Sequence, residues 1–99
     1  MKKLLFTLTI IILYSCSQTI NYDENREYFE KRQGIMYYQG SPFSGTLIET
    51  KYSYFGEPWT EKTTYKDGKK DGLFEEYHPN GELKLQKMYK NGRFIKKLE

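Results

Sequence analysis

Residues 65 to 92 read YKDGKKDGLFEEYHPNGELKLQKMYKNG. Short runs of Tyr, Phe, Leu and Met alternate with Asp67-Gly68, Asp71-Gly72, Asn80-Gly81 and Asn91-Gly92. Such pairs are strong short-range hairpin signals, because the favoured two-residue turn needs positive φ at both central positions. Asn and Asp tolerate that region, and Gly enters it without steric cost. With seven Asn or Asp and eight Gly in 99 residues, chance would produce about 0.6 such pairs. Four occur, so the spacing is read as architecture and all four pairs as turns. A flexible linker would not interleave its turns with so many aromatics.

Upstream, the same signals recur. Tyr-x-x-Gly occurs at Tyr37–Gly40, Tyr65–Gly68 and Tyr89–Gly92. A second Gly follows at Gly45 and Gly72, and Tyr-x-x-x-Gly-Glu at Tyr52–Glu57 and Tyr77–Glu82. Self-similarity of this kind marks a repeat array. Two units stand in a row, the first looser, and Arg93 begins a shortened third. Within a unit the period is two. Thr46, Ile48, Thr50 and Tyr52 share a face, as do Trp59, Glu61, Thr63 and Tyr65, and Leu83, Leu85, Lys87 and Tyr89. That pattern predicts antiparallel strands with one apolar and one charged face. Pro42, Pro58 and Pro79 fall in or beside predicted turns, where a missing N–H costs the ladder nothing. Glu27–Arg32 reads as a strand or a helical turn. The Gln33-Gly34 break before Ile35-Met36-Tyr37-Tyr38 favours a hairpin.

The first sixteen residues have a different character. Met1-Lys2-Lys3 precedes an apolar run from Leu4 to Leu13, then Tyr14, Ser15 and Cys16. A membrane-spanning helix needs about 20 apolar residues, and this run is half that. It fits the apolar core of a secretory signal. Its end resembles a bacterial lipobox, with Leu13 and small Ser15 before Cys16. The bulk of Tyr14 departs from that pattern. The resemblance implies a signal peptide over 1–15, acylation of Cys16, and a mature chain attached to a membrane through that lipid. Residues 16–26 are polar and without period, and read as a lipid-attached flexible tether. Residues 27–99 are the hairpin domain. Ser17, in place of the Asp that retains many lipoproteins at the inner membrane, points to the outer membrane of a bacterial envelope.

The run Gly72 to Gly81, flanked by Tyr-Lys-Asp-Gly and Tyr-Lys-Asn-Gly, resembles the MORN-repeat variant of bacterial proteins often labelled as antitoxin components. The resemblance covers about Ile35 to Phe94. It implies an all-β chain forming a single-layer antiparallel β-meander of successive hairpins. It further implies turn glycines at Gly68, Gly72, Gly81 and Gly92, and repeat aromatics at Tyr65, Phe74, Tyr77 and Tyr89 that pack between units. It brings no catalytic residue, cofactor or metal site.

The remaining residues narrow the functional classes. The formal charge of +3 becomes +1 when Lys2 and Lys3 leave with the leader, which is no footprint for nucleic acid. One Cys allows neither an internal disulfide nor a multi-cysteine zinc site. His78, the single His, sits in a turn beside Pro79. Glu75 and Glu76 are adjacent on a strand and point to opposite faces, so they form no acid–base pair. Asp67 and Asp71 lack the spacing of a calcium loop. Lys69-Lys70 and Lys96-Lys97 read as a solvated rim. Tyr54 and Phe55 are candidates for exposed aromatics. The expected function is therefore a non-enzymatic interaction or scaffold module with a protein partner. The alternative is an antitoxin or immunity-like inhibitor of a toxic partner.

Overall fold

The computed structural model describes residues 18–98. Within them the chain is all-β, with nine strands and one 3-10 turn at Arg26–Tyr28. Strands β5 (Gly45–Lys51), β6 (Trp59–Lys66), β7 (Lys69–Tyr77), β8 (Leu83–Lys90) and β9 (Arg93–Lys97) are antiparallel neighbours in chain order. Strands β2 (Phe29–Arg32), β3 (Ile35–Tyr38) and β4 (Ser41–Pro42) form a separate three-stranded antiparallel sheet. The expected single sheet is thus two. A hydrophobic reason is at hand: Phe43 is 1% exposed, and its ring meets Phe29 at 5.4 Å, Tyr38 at 5.9 Å and Tyr65 at 5.7 Å. That cluster draws the small sheet onto the β6 end of the large one.

In the described part of the expected tether over 16–26, from Gln18 on, the chain is paired and not a free tether. Thr19–Asn21 is strand β1 and pairs in parallel with Thr46–Ile48 of β5. Thr46 N–H donates to the Gln18 carbonyl at 2.9 Å, and Tyr22 N–H to the Ile48 carbonyl at 2.7 Å. The Asp23 carboxylate accepts the Thr50 N–H at 3.0 Å. Backbone pairing on an otherwise open edge holds this polar segment, so no alternation of apolar residues is needed.

Four turns have positive φ at two successive residues. They are Gln33-Gly34, Gln39-Gly40, Asp67-Gly68 and Asn91-Gly92. Of the other two Asx-Gly pairs, one is not a hairpin turn and one makes a turn of a different type. Asp71-Gly72 lies inside β7, in a bulge where Thr63 faces Phe74 and Tyr65 faces Lys70. Asn80-Gly81 closes a turn of another kind, in which Gly81 N–H donates to the His78 carbonyl at 2.9 Å and only Gly81 has positive φ. Pro79 in the second position suits that turn.

The bulge explains how the hairpins lie against each other. Asn91 N–H donates to the Asp71 carboxylate at 3.1 Å, and Gly92 N–H to the Lys70 carbonyl at 2.7 Å. One unit earlier, Asp67 N–H donates to the Ser44 hydroxyl at 2.9 Å, and Gly68 N–H to the Phe43 carbonyl at 2.7 Å. Each hairpin turn therefore seats on a short segment ending in a positive-φ glycine, Gly45 or Gly72. Pairing follows suit, with Gly45 opposite Tyr65 and Gly72 opposite Tyr89.

Burial is shallow. Leu47 at 3%, Thr63 at 7% and Phe74 at 6% face one another across β5, β6 and β7. On β5 the buried residues are thus Gly45 and Leu47, out of phase with Ile48. The split into an apolar and a charged face is not observed. Lys70 and Lys87 share the face of Phe74 and Tyr89. Long amphipathic stems let lysines cover those rings while their ammonium groups reach water.

Candidate functional site

The concave side of the structure lies where the β2–β3 hairpin faces β6, β7 and the β8–β9 turn. A groove of about 410 Å³ runs there, and a second recess of about 280 Å³ continues it along β5 and β6. Lys31, Met36, Tyr65 and Lys70 line both. The two ends differ in charge. Glu30, Glu49 and Glu61 accompany lysines in the smaller recess, whereas among the described residues the larger one has lysines and no carboxylate.

Lys70 is the pivot. Its ammonium lies 5.1 Å from the Phe74 ring centre and 5.0 Å from that of Tyr89. Cation–π attraction holds it there. Burial pulls its pKa below the usual lysine value; Glu61 opposes that shift, and Lys31, Lys51 and Lys87 reinforce it. The neighbouring Tyr65 hydroxyl is pushed up to about 12, by burial first and then by Glu49 and Glu61. It stays a neutral hydrogen-bonding group throughout the physiological range. The solvated-rim reading of Lys69-Lys70 therefore holds only for exposed Lys69.

The expected site residues fall into separate places. Gly68 and Gly92 are turn residues on the groove wall, Gly72 is in the β7 bulge, and Gly81 is in the β7–β8 turn. Phe74 and Tyr89 meet edge to face at 6.0 Å. Tyr65 packs on Phe43, not on Phe74. Tyr77 is on the opposite face, where its hydroxyl donates to Glu75 at 2.9 Å and Lys62 lies 6.0 Å from its ring. Glu75 also accepts from the Gln86 amide at 2.7 Å, while Glu76 approaches Lys84 at 3.9 Å on the far side. Their chemistry is cross-strand pairing. His78 is an exposed turn residue. Cys16 lies outside the described residues.

Two features went unmarked in the sequence. Phe43, the most buried side chain, stands alone between Pro42 and Ser44, without periodic neighbours to announce it. Its one signal is its place two residues before Gly45, as Lys70 stands before Gly72. The burial of Lys70 gave no signal either, since residues of the distant β2–β3 hairpin share its recess.

A second surface is the β5–β6 loop. Tyr52, Tyr54 and Phe55 are 76%, 100% and 102% exposed, and the Tyr54 and Phe55 rings lie 6.2 Å apart. The chain enters the large sheet at the Gly45 end of β5, and this loop follows the other end, Lys51. Seven residues of strand separate them, about 23 Å. Among the described residues no group of three His, Cys, Asp or Glu is arranged to hold a metal, and no helix is long and apolar enough to cross a membrane. Compared with family models, curated proteins and solved structures, the chain matches none of them.

Proposed function

We propose that this is a small, non-catalytic protein of the bacterial cell envelope, anchored by lipid on Cys16, whose sheet of MORN-like repeats presents an interaction surface to a protein partner. The exposed aromatic loop carries the reading. Tyr and Phe give large contact area with few rotatable bonds, and they are enriched where proteins dock. Three of them in four residues, left in water, destabilise nothing else and suit a partner's pocket. The seating of the Asp67-Gly68 and Asn91-Gly92 turns on like segments supports the repeat reading.

The anchor rests on the leader sequence. Gln18, where the described chain begins, is hydrogen-bonded to Ser44 and Thr46 at the Gly45 end of β5. A bilayer at that end leaves the aromatic loop on the far side of the sheet. Absence of Asp after Cys16 favours the outer membrane.

The test is a crosslinking pull-down from envelope membranes with the anchored chain and with a Tyr54→Ser, Phe55→Ser double variant. One partner should be captured by the parent and lost by the variant. Equal capture by both refutes the loop as the docking surface.

A further inference from the structure

We infer that the lysine-lined half of the groove is a binding site for an anionic saccharide, a sugar unit bearing a carboxylate or phosphate. The inference goes beyond the docking loop, which occupies the other end of β5, and does not depend on it. Lys31 and Lys70 reach this recess from two different sheets, and exposed Lys69 stands at its rim. Like charges brought together repel; no carboxylate lines this recess, and Glu61 in the adjoining one offsets the repulsion on Lys70 only in part. An anion entering would relieve that repulsion, and would do so where partial burial weakens screening by water.

The rest of the lining narrows the anion. Tyr65 and Tyr89 border it with phenols, and Gln33 and Asn91 with amide-bearing residues. Phenols, like amides, hydrogen-bond sugar hydroxyl groups. Amides both donate and accept, which suits neighbouring hydroxyl groups. A bare inorganic anion would use the lysines and leave the rest idle. A flat bilayer surface would meet only the outer lysines, because the recess lies under the β2–β3 hairpin. The volume of about 410 Å³ falls within the usual 300–1,000 Å³ of small-ligand pockets.

Titration of the full chain in non-ionic detergent with trigalacturonate tests this, with maltotriose, inorganic phosphate and phosphatidylglycerol vesicles as parallel probes. Trigalacturonate should bind with sub-millimolar affinity and shift the Gly34, Gly68 and Gly92 amide resonances. Maltotriose should bind about tenfold more weakly or worse, as expected when a charge-assisted contact is lost. The Lys31→Gln, Lys69→Gln double variant changes two exposed side chains. It should keep the parent melting temperature and lose trigalacturonate binding by about tenfold or more. Three outcomes overturn the inference: unchanged trigalacturonate affinity in the variant; phosphate binding as tightly as trigalacturonate, which makes the recess a simple anion trap; or lysine-dependent vesicle binding without trigalacturonate binding, which makes it a membrane contact. Loss of partner capture in the loop variant affects none of these readouts.

Discussion

Gly68 and Gly92 occupy the same position in successive hairpin turns, with φ of 83° and 82°. Alanine at either must adopt a left-handed backbone, at a cost of about 1–2 kcal/mol. Beyond that their surroundings differ. At Gly92 the nearest atom to an added Cβ is Lys69 Cβ at 3.8 Å, an ordinary contact. At Gly68 the Cβ would overlap Ile35 Cγ2 and stand 2.9 Å from the Met36 carbonyl oxygen. Met36 cannot easily withdraw, because its N–H donates to the Gly68 carbonyl at 2.9 Å. Either the hydrogen bond goes, at about 1 kcal/mol, or the overlap remains, at about 1–3 kcal/mol. Gly68→Ala should therefore cost about 2 kcal/mol more than Gly92→Ala. For a domain of this size that is a gap in Tm of roughly 10 °C. Thermal and urea unfolding followed by far-UV circular dichroism measure it, with equal m-values showing that the denatured states match. A gap under about 0.5 kcal/mol would falsify the seating of the small sheet on the Asp67-Gly68 turn.

Other outcomes follow from the same contacts. Phe43→Ala should lose about 3–5 kcal/mol, the range for a buried Phe, and Phe74→Ala about 3; a Phe43→Ala protein melting within a few degrees of the parent would remove Phe43 from the core. The Asp71 carboxyl is held below its usual value of 3.8, chiefly by the Asn91 N–H and further by Lys90. Its folded pKa is the depressed one, so its contribution is present above the unfolded value and lost as pH falls through the folded one. Asp71→Asn should accordingly flatten the loss of stability between about pH 5 and pH 2, and an unchanged acid profile would count against the contact. Replacing Gln33 or Gln39 by Asn, at φ of 50° and 51°, should raise stability by about 0.5 kcal/mol, read by urea midpoint. Palmitate labelling of the precursor should vanish with Cys16→Ser; persistent label would overturn the anchor.

The hairpins from β6 to β9 were legible because Asp67-Gly68 and Asn91-Gly92 state their backbone conformation in two letters. Asp71-Gly72 misled for a related reason. The pair signals positive φ at Gly72, and positive φ serves a bulge as well as a turn. Which one forms depends on the Asn91-Gly92 turn that seats there, a contact remote in sequence. Gln33-Gly34 and Gln39-Gly40 make the same turns with a residue that pays more for them, so the Asx count passed them over. Strand β1 was invisible because backbone pairing and a few polar side chains, not an apolar alternation, hold it. The groove lay further still from view. Lys31 and Lys70 converge only after Phe43 has drawn two sheets together, and no local pattern encodes that approach.

Strand β1 also has a mechanical consequence. A pull on the leading end of the chain, directed along the strands, would slide Thr19–Asn21 past β5 and not peel it away. Its bonds to Thr46 and Ile48, with the Asp23 clasp on Thr50, would then bear the load together and fail together, not one after another. The junction would behave as a rivet row instead of a zip, so a tug on the strand would reach the sheet as a whole.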